Sequence, residues 1–358
     1  HNVIYFDQTS QTAVIGFEDS RIAYPNPSTG TTNSSDKDFN DVVFAITANP
    51  ITAIKTNDMP VLVPTTVTDK DGDGVTDAND KYPDDSQRAY DVYYPTSGTG
   101  TLAFEDNWPK QGDYDFNDLV VGYQYHLVTN SYNAVKDVKA AYTVEAVGAN
   151  YKNGFAVQFG TGPGNVESVS GQVNLAGNSL FDVSSTGYEN GQPYAVIPVF
   201  PNAHQLFGYT SSTPFINTKV GDVTAAPYAI NLNVTFGTPV NASALGTPPY
   251  NAFLVANQTR GREVHLAGQA PTAKANSALF GTQDDKTNVS SSVFYVNGSS
   301  FPWALNIPAS FSYPLETSRV DGAYLHYGTW ATTSGSSFAD WYGNTASGYR
   351  NTNKLYKK

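Results

Sequence analysis

Cysteine is absent from this chain of 358 residues, so a disulfide framework, a thiolate metal site and a cysteine nucleophile are all excluded. Long apolar runs are missing as well. No stretch approaches the ~18 apolar residues that a membrane helix needs, and a transmembrane segment is not expected. No basic stretch followed by an apolar core opens the sequence, which is therefore read as mature or trimmed. Charge is scarce, with Asp, Glu, Lys and Arg at 15% of the residues against ~25% in a typical soluble domain. Basic patches are lacking too, and without them a nucleic-acid partner is disfavoured.

What remains is 40% hydrophobic and 13% aromatic, rich in Gly, Ser, Thr, Asn and Tyr, the composition of a secreted β protein able to bury sizeable cores. Ile230, Leu232, Val234 and Phe236 alternate with Asn231, Asn233 and Thr235, and Tyr123, Tyr125 and Leu127 alternate with Gln124 and His126. This period of two predicts half-buried strands. Further strands are predicted at 42–46, 141–147, 154–159, 194–200 and 293–296, with short helices only at 272–280 and 337–342. The expected fold class is all-β, with two β-sandwich or jelly-roll-like domains. The first is expected at 1–130, with an acidic connector at 66–88 inserted in it, and the second at 131–358.

The net charge of −12 is concentrated. Residues 1–125 hold 20 acidic and 7 basic side chains, whereas residues 126–358 hold 12 and 13. The acids cluster in three loops. Asp69–Asp80 reads D-K-D-G-D-G-V-T-D-A-N-D, which places carboxylates at loop positions one, three, five, nine and twelve. Calcium takes six to eight oxygens at ~2.3–2.6 Å, so such a loop must converge several carboxylates and one carbonyl around a glycine turn. Asp69, Asp71, Asp73, Asp77 and Asp80, with the carbonyl of Val75, are the candidate ligands. The flanking Met59–Thr66 stretch carries two prolines and cannot be a regular helix, so this is not an EF-hand.

The other two loops are copies of one pattern, F-E-D followed by D-x-D-F-N-D-[VL]-V. Phe17-Glu18-Asp19 precedes Asp36, Asp38, Asn40 and Asp41, and Phe104-Glu105-Asp106 precedes Asp113, Asp115, Asn117 and Asp118. In each copy the alternating acids match the first ligands of a calcium loop, and Glu18 or Glu105 is placed to close the site from a neighbouring strand. The plainer reading of these side chains is as caps of Asx turns.

Two family resemblances follow from these residues. Asp69–Asp85 resembles a thrombospondin type 3 repeat, which implies an extracellular, calcium-rigidified connector. The A-F-E-D-x-W-P…G-D-Y-D-F-N-D-L-V-V segment resembles the start of the LruC domain of bacterial surface and secreted proteins. The likeness continues through Arg262–Leu266, Pro271-Thr272, Leu279–Gly281, Pro302–Leu305, Ile307-Pro308 and Asp340–Tyr342, over roughly residues 100–345. The N-terminal copy is similar to a second uncharacterised family often found on the same proteins. The resemblance implies a β-rich fold on the bacterial exterior and no particular activity.

An enzyme is not expected. His1, His126, His204, His265 and His326 are scattered, with no H-E-x-x-H pair and no nucleophile elbow. Gly160–Gly164 lacks the lysine of a phosphate loop, and the dense carboxylate pairs fall in calcium-type spacing. His265 reads as a packed, hydrogen-bonded histidine. The aromatics Trp303, Trp330, Trp341, Tyr324 and Tyr342 read as core, or else as exposed rings that stack on a glycan. The functional expectation is a calcium-stabilised structural or adhesive surface protein. Its expected partners are calcium and a glycan or surface protein, and the terminal strand 2–7 is expected either to complete a sheet of its own subunit or to join other copies of the chain into a filament.

Overall fold

The computed structural model describes residues 1–19, 38–63, 68–210 and 214–357. They form two compact units, His1–Thr68 and Asp69–Lys358. In the first, β1 (Asn2–Asp7), β2 (Thr12–Phe17) and β3 (Val42–Ile46) make an antiparallel sheet in that order.

The second unit begins with β4 (Tyr90–Tyr94), β5 (Gly100–Phe104), β6 (Leu119–Thr129) and β7 (Ala134–Ala146). It continues through β8 (Gly154–Phe159), β9 (Val166–Ser170), β10 (Ala195–Phe200), β11 (Tyr228–Asn241), β12 (Asn251–Val255), β13 (Glu263–His265) and β14 (Ala304–Ile307). A seven-stranded sheet runs β14-β5-β6-β7-β11-β9, with β4 and β5 placed end to end along the same edge of β6. A four-stranded sheet runs β10-β8-β12-β13.

Alternation decides which side chains meet. Leu102, Phe104, Tyr123, Tyr142, Leu232 and Val234 of the larger sheet pack with Phe155, Val157, Ile197 and Leu254 of the smaller, forming a sandwich core. The opposite face, through Ala103, Val120 and Ala146, is covered by the C-terminal segment with Phe311, Tyr313, Tyr324, Tyr327 and Trp341. The fold is all-β, as the period-two pattern implies.

Three expectations are corrected. The boundary at 130 falls in the tight Asn130–Asn133 turn between β6 and β7, which pair from Val120↔Ala146 to Thr129↔Val135. Asn133 adopts φ 59 there, and Asn133 N–H donates to the Asn130 carbonyl at 2.9 Å. No domain can be cut through that ladder, and the division lies at 68/69, so the acidic loop opens the second unit. Residues 293–296 make only isolated bridges, because Tyr295 takes a left-handed φ of 55 that no regular strand accommodates. The helices expected at 272–280 and 337–342 reduce to one 3-10 turn, Ser277–Leu279, and the α-turns lie elsewhere, at Ala203–Leu206, Ala242–Leu245, Val320–Ala323 and Tyr327–Thr332.

Candidate metal centres

The two F-E-D copies are built alike. Phe17 pairs with Val42 where β2 meets β3, and Phe104 pairs with Leu119 where β5 meets β6. Just beyond each pair, the third residue of F-E-D donates its backbone N–H to the last aspartate of the motif: Asp19 to Asp41 and Asp106 to Asp118, both at 2.7 Å. Asn40 N–H donates to Asp38 at 3.1 Å and Asn117 N–H to Asp115 at 3.2 Å. The motif phenylalanines match as well, Phe39 with φ 57 and Phe116 with φ 52.

In the second copy, carboxylate oxygens of Glu105, Asp113 and Asp115 lie within 4.8 Å of one another. Glu105 is fully buried and accepts the N–H of Phe116 at 2.7 Å and of Tyr114 at 3.1 Å. Those bonds hold the left-handed turn at Tyr114 and Phe116, whose rings anchor the loop in the core. Gly112 is required at φ +71, and a Cβ there would come to 2.6 Å from Glu105 Oε2. The site closes from far along the chain: Thr317 N–H donates to Asp115 at 2.8 Å and Asn117 Nδ2 to the Pro314 carbonyl at 3.2 Å. Asp106, Asp113, Asp118 and Glu316 line an adjoining cleft of about 360 Å³.

The charges of Arg262 near Asp106, Arg319 near Glu105 and Lys219 near Glu316 offset these acids only in part. Burial, then the charges of Asp115 and Asp113, push the Glu105 carboxyl well above the usual range. Burial and the neighbouring Asp106 do the same to Asp118. Asp115 is raised to about 8 by burial and Asp113, and Glu316 to about 7 by burial and Asp113. Burial lifts Asp106 to about 6 against the hydrogen bond from Asn153. Among the described residues no Lys or Arg forms an ion pair with Glu105, Asp106, Asp113, Asp115 or Asp118. Asn117 Oδ1 is buried without a hydrogen-bond partner. A donor set made only of oxygens, short of positive charge and carrying an orphaned amide oxygen, fits a hard cation such as Ca²⁺.

In the first copy, Glu18, Asp19 and Asp41 form the cluster, and Glu18 Oε2 is buried without a hydrogen-bond partner. Asp38 and Asn40 instead bond to each other, Nδ2 to Oδ2 at 2.6 Å, outside that cluster. Asp36 lies outside the described residues.

The Asp69–Asp80 loop turns on Gly72 (φ +76) and Gly74 (φ +96), conformations that favour glycine. Asp69 accepts the N–H of Gly72 at 2.8 Å and of Gly74 at 3.1 Å. Asp73 accepts the N–H of Val75 at 2.7 Å. Asp69, Asp71 and Asp73 converge, and Oδ2 of Asp71, Asp73 and Asp80 are buried without partners. Burial, together with Asp73, Asp80 and Asp69, raises the Asp71 pKa. Asp77 and Asp80 stand outside the tight cluster, where Asp77 accepts the Lys70 N–H at 2.8 Å and Asp80 the Tyr82 N–H at 2.6 Å.

Asp19, Asp106 and Glu316 join these sites without having been singled out from the sequence. The repeat itself contains the two aspartates as the third letter of F-E-D. Glu316 has no local signal, since only the fold brings it to the loop at 105–118. His265 is buried between Asn251 Oδ1 at 2.6 Å and Glu263 Oε2 at 2.8 Å, in agreement with a packed, hydrogen-bonded role. Trp303, Trp341 and Tyr324 are fully buried and so are not free to stack on a sugar.

Residues 133–342 match the profile of a family described as a domain of unknown function, DUF4842. The chain belongs to this family. The DUF4842 segment runs from β7 through the C-terminal layer, and it supplies Pro314, Glu316 and Thr317 to the Glu105 centre. The chain is also similar to a crystal structure titled "putative lipoprotein from Bacteroides ovatus", with a TM-score of 0.57 and 15% identity over 100% of this chain and 93% of that one. That likeness is one of fold. Among curated proteins none matches the chain. Among the described residues no helix is long and apolar enough to cross a membrane.

Proposed function

We propose that this chain is a calcium-stabilised structural or adhesive protein of the bacterial exterior, in which the three acidic loops hold Ca²⁺. The observation that carries the reading is the Glu105 centre, where the carboxylates of Glu105, Asp113 and Asp115 face one another and, among the described residues, none is ion-paired to a Lys or Arg. A bound divalent ion would relieve that repulsion, and binding free energy becomes folding free energy. In a chain without cysteine, the ion takes the bracing role of disulfides. The exterior location draws on the LruC and thrombospondin type 3 resemblances and on the lipoprotein title of the structural neighbour. The reading assigns the carboxylates to the ion and no reaction to the chain.

Calorimetric titration of chelator-treated protein tests it. Asp115→Ala and Asp71→Ala are each expected to remove about one ion, and Glu18→Gln to weaken a third. At a free calcium level of a hundred dissociation constants each site adds about 2.7 kcal/mol. Magnesium is expected to substitute poorly because it demands tighter octahedral geometry. A melting curve unchanged by EDTA would overturn the reading.

A further inference from the structure

The two copies of the F-E-D hairpin differ in what lies along their outer edge. In the second unit, β6 pairs on one side with β5 and on the other with β7, and Leu119, Val120, Val121 and Tyr123 are all 0% exposed. The equivalent strand of the first unit is β3, aligned by the matching pairs Phe17↔Val42 and Phe104↔Leu119. There Val42, Val43, Phe44 and Ile46 are 47%, 54%, 55% and 42% exposed. Among the described residues β3 pairs with β2 alone. The opposite edge of the sheet is partly covered, since Phe6 N–H donates to Pro60 at 2.8 Å and Leu62 N–H to Phe6 at 2.9 Å.

Natural sheets protect such an edge with lysine, proline or a bulge. β3 has none of these, and from Val42 to Ile54 the sequence carries no charge. We infer that the outer edge of β3 pairs antiparallel with β3 of a second copy of this chain, taking the place that β7 takes on β6. The strand is self-complementary about Phe44. Val42 then faces the partner's Ile46, Val43 faces the partner's Ala45, and Asp41 faces the partner's Thr47, so the two acidic ends stay apart. The contact is isologous and closes at two copies. β1 is paired with β2 over six residues, so the terminal strand completes a sheet of its own subunit, one of the two outcomes expected of it. The inference is independent of calcium.

Sedimentation of the whole chain over a range of concentrations is the test. A dimer is expected that becomes monomeric with Phe44→Lys and persists with Tyr5→Lys on the far edge strand, with the same circular dichroism in all three proteins. Hydrogen exchange at 42–46 is expected to slow at least tenfold as concentration rises through the association range. A chain that stays monomeric at its highest soluble concentration overturns the inference, as does growth beyond a dimer. Protection of 42–46 at every concentration in a monomer also overturns it and assigns the edge to polypeptide of the same chain. Association that Tyr5→Lys abolishes and Phe44→Lys leaves intact would move the contact to β1.

Discussion

Asp113 is the carboxylate whose charge raises Glu105, Asp115 and Glu316 together. Asp113→Asn is therefore expected to act with opposite signs in two conditions. In chelator it relieves repulsion and raises stability by on the order of 1 kcal/mol, and in calcium it shrinks the ion-induced rise in melting temperature. Calorimetry in the two buffers checks this, and the same sign in both would count against an ion at the centre. A different acid works the other way. Glu263 is buried, which raises its pKa, but hydrogen bonds from His265 and Thr272 and the charge of Arg260 reverse this and hold it at about 2. Its folded pKa lies below the ordinary 4.5 of the unfolded chain, so its contribution is complete above pH 4.5 and is lost as pH falls toward 2. Glu263→Gln is expected to flatten that acid limb in equilibrium unfolding and to cost about 3–5 kcal/mol at neutral pH, because Arg260 loses one of its two carboxylate partners in a buried site.

At the level of elements, the repeated hairpin is a clasp that fixes register. Its aspartate receives the N–H of the strand end opposite, at Asp19 in one copy and Asp106 in the other. Asp118 and Asp106 are buried whereas Asp41 and Asp19 are exposed. Asp118→Ala strands a buried N–H and is expected to cost about 1–3 kcal/mol, while at Asp41 water replaces the lost acceptor and the cost stays below about 1 kcal/mol. Urea unfolding of the two variants measures the difference. Much at this scale was legible in the sequence: 42–46 and 154–159 are strands to the residue, since β-branched and aromatic side chains in alternation have few other ways to fold. The misses have local causes. Thr272, where a short helix was expected to begin, gives its hydroxyl and its N–H to Glu263 instead. The clusters at 69–73 and 105–115 were readable because each lies within one short stretch, whereas the first-copy cluster joins Glu18 and Asp19 to Asp41 across two strands and leaves Asp38 and Asn40 outside, and Glu316 is invisible until β14 and the C-terminal layer fold over β5.

On the scale of the molecule, the Asp69–Asp80 loop stands where the second compact unit begins. Its inward carboxylates repel one another without an ion, so chelation is expected to open the loop to protease first. Limited digestion in EDTA should release fragments divided near residues 69–85, and millimolar calcium should suppress that cut. Equal cleavage rates with and without calcium would show that the loop gains nothing from the ion. The division at 68/69 escaped sequence reading because an acidic loop looks the same inserted in a domain or placed at its edge.

The closure of the Glu105 loop by Pro314 and Thr317 bears on how the protein comes apart. Those contacts join positions about 200 residues apart in sequence, and such long-range links form late in folding because the entropy of closing the intervening chain must be met first. An ion held where they meet would stabilise the native state more than the transition state. Calcium is then expected to leave the refolding rate nearly unchanged and to slow unfolding by most of its equilibrium effect, about a hundredfold for one site at about 2.7 kcal/mol. Stopped-flow unfolding in denaturant with and without the ion measures this ratio directly. A protein built this way would owe its persistence, once folded, to a slow exit from the native state.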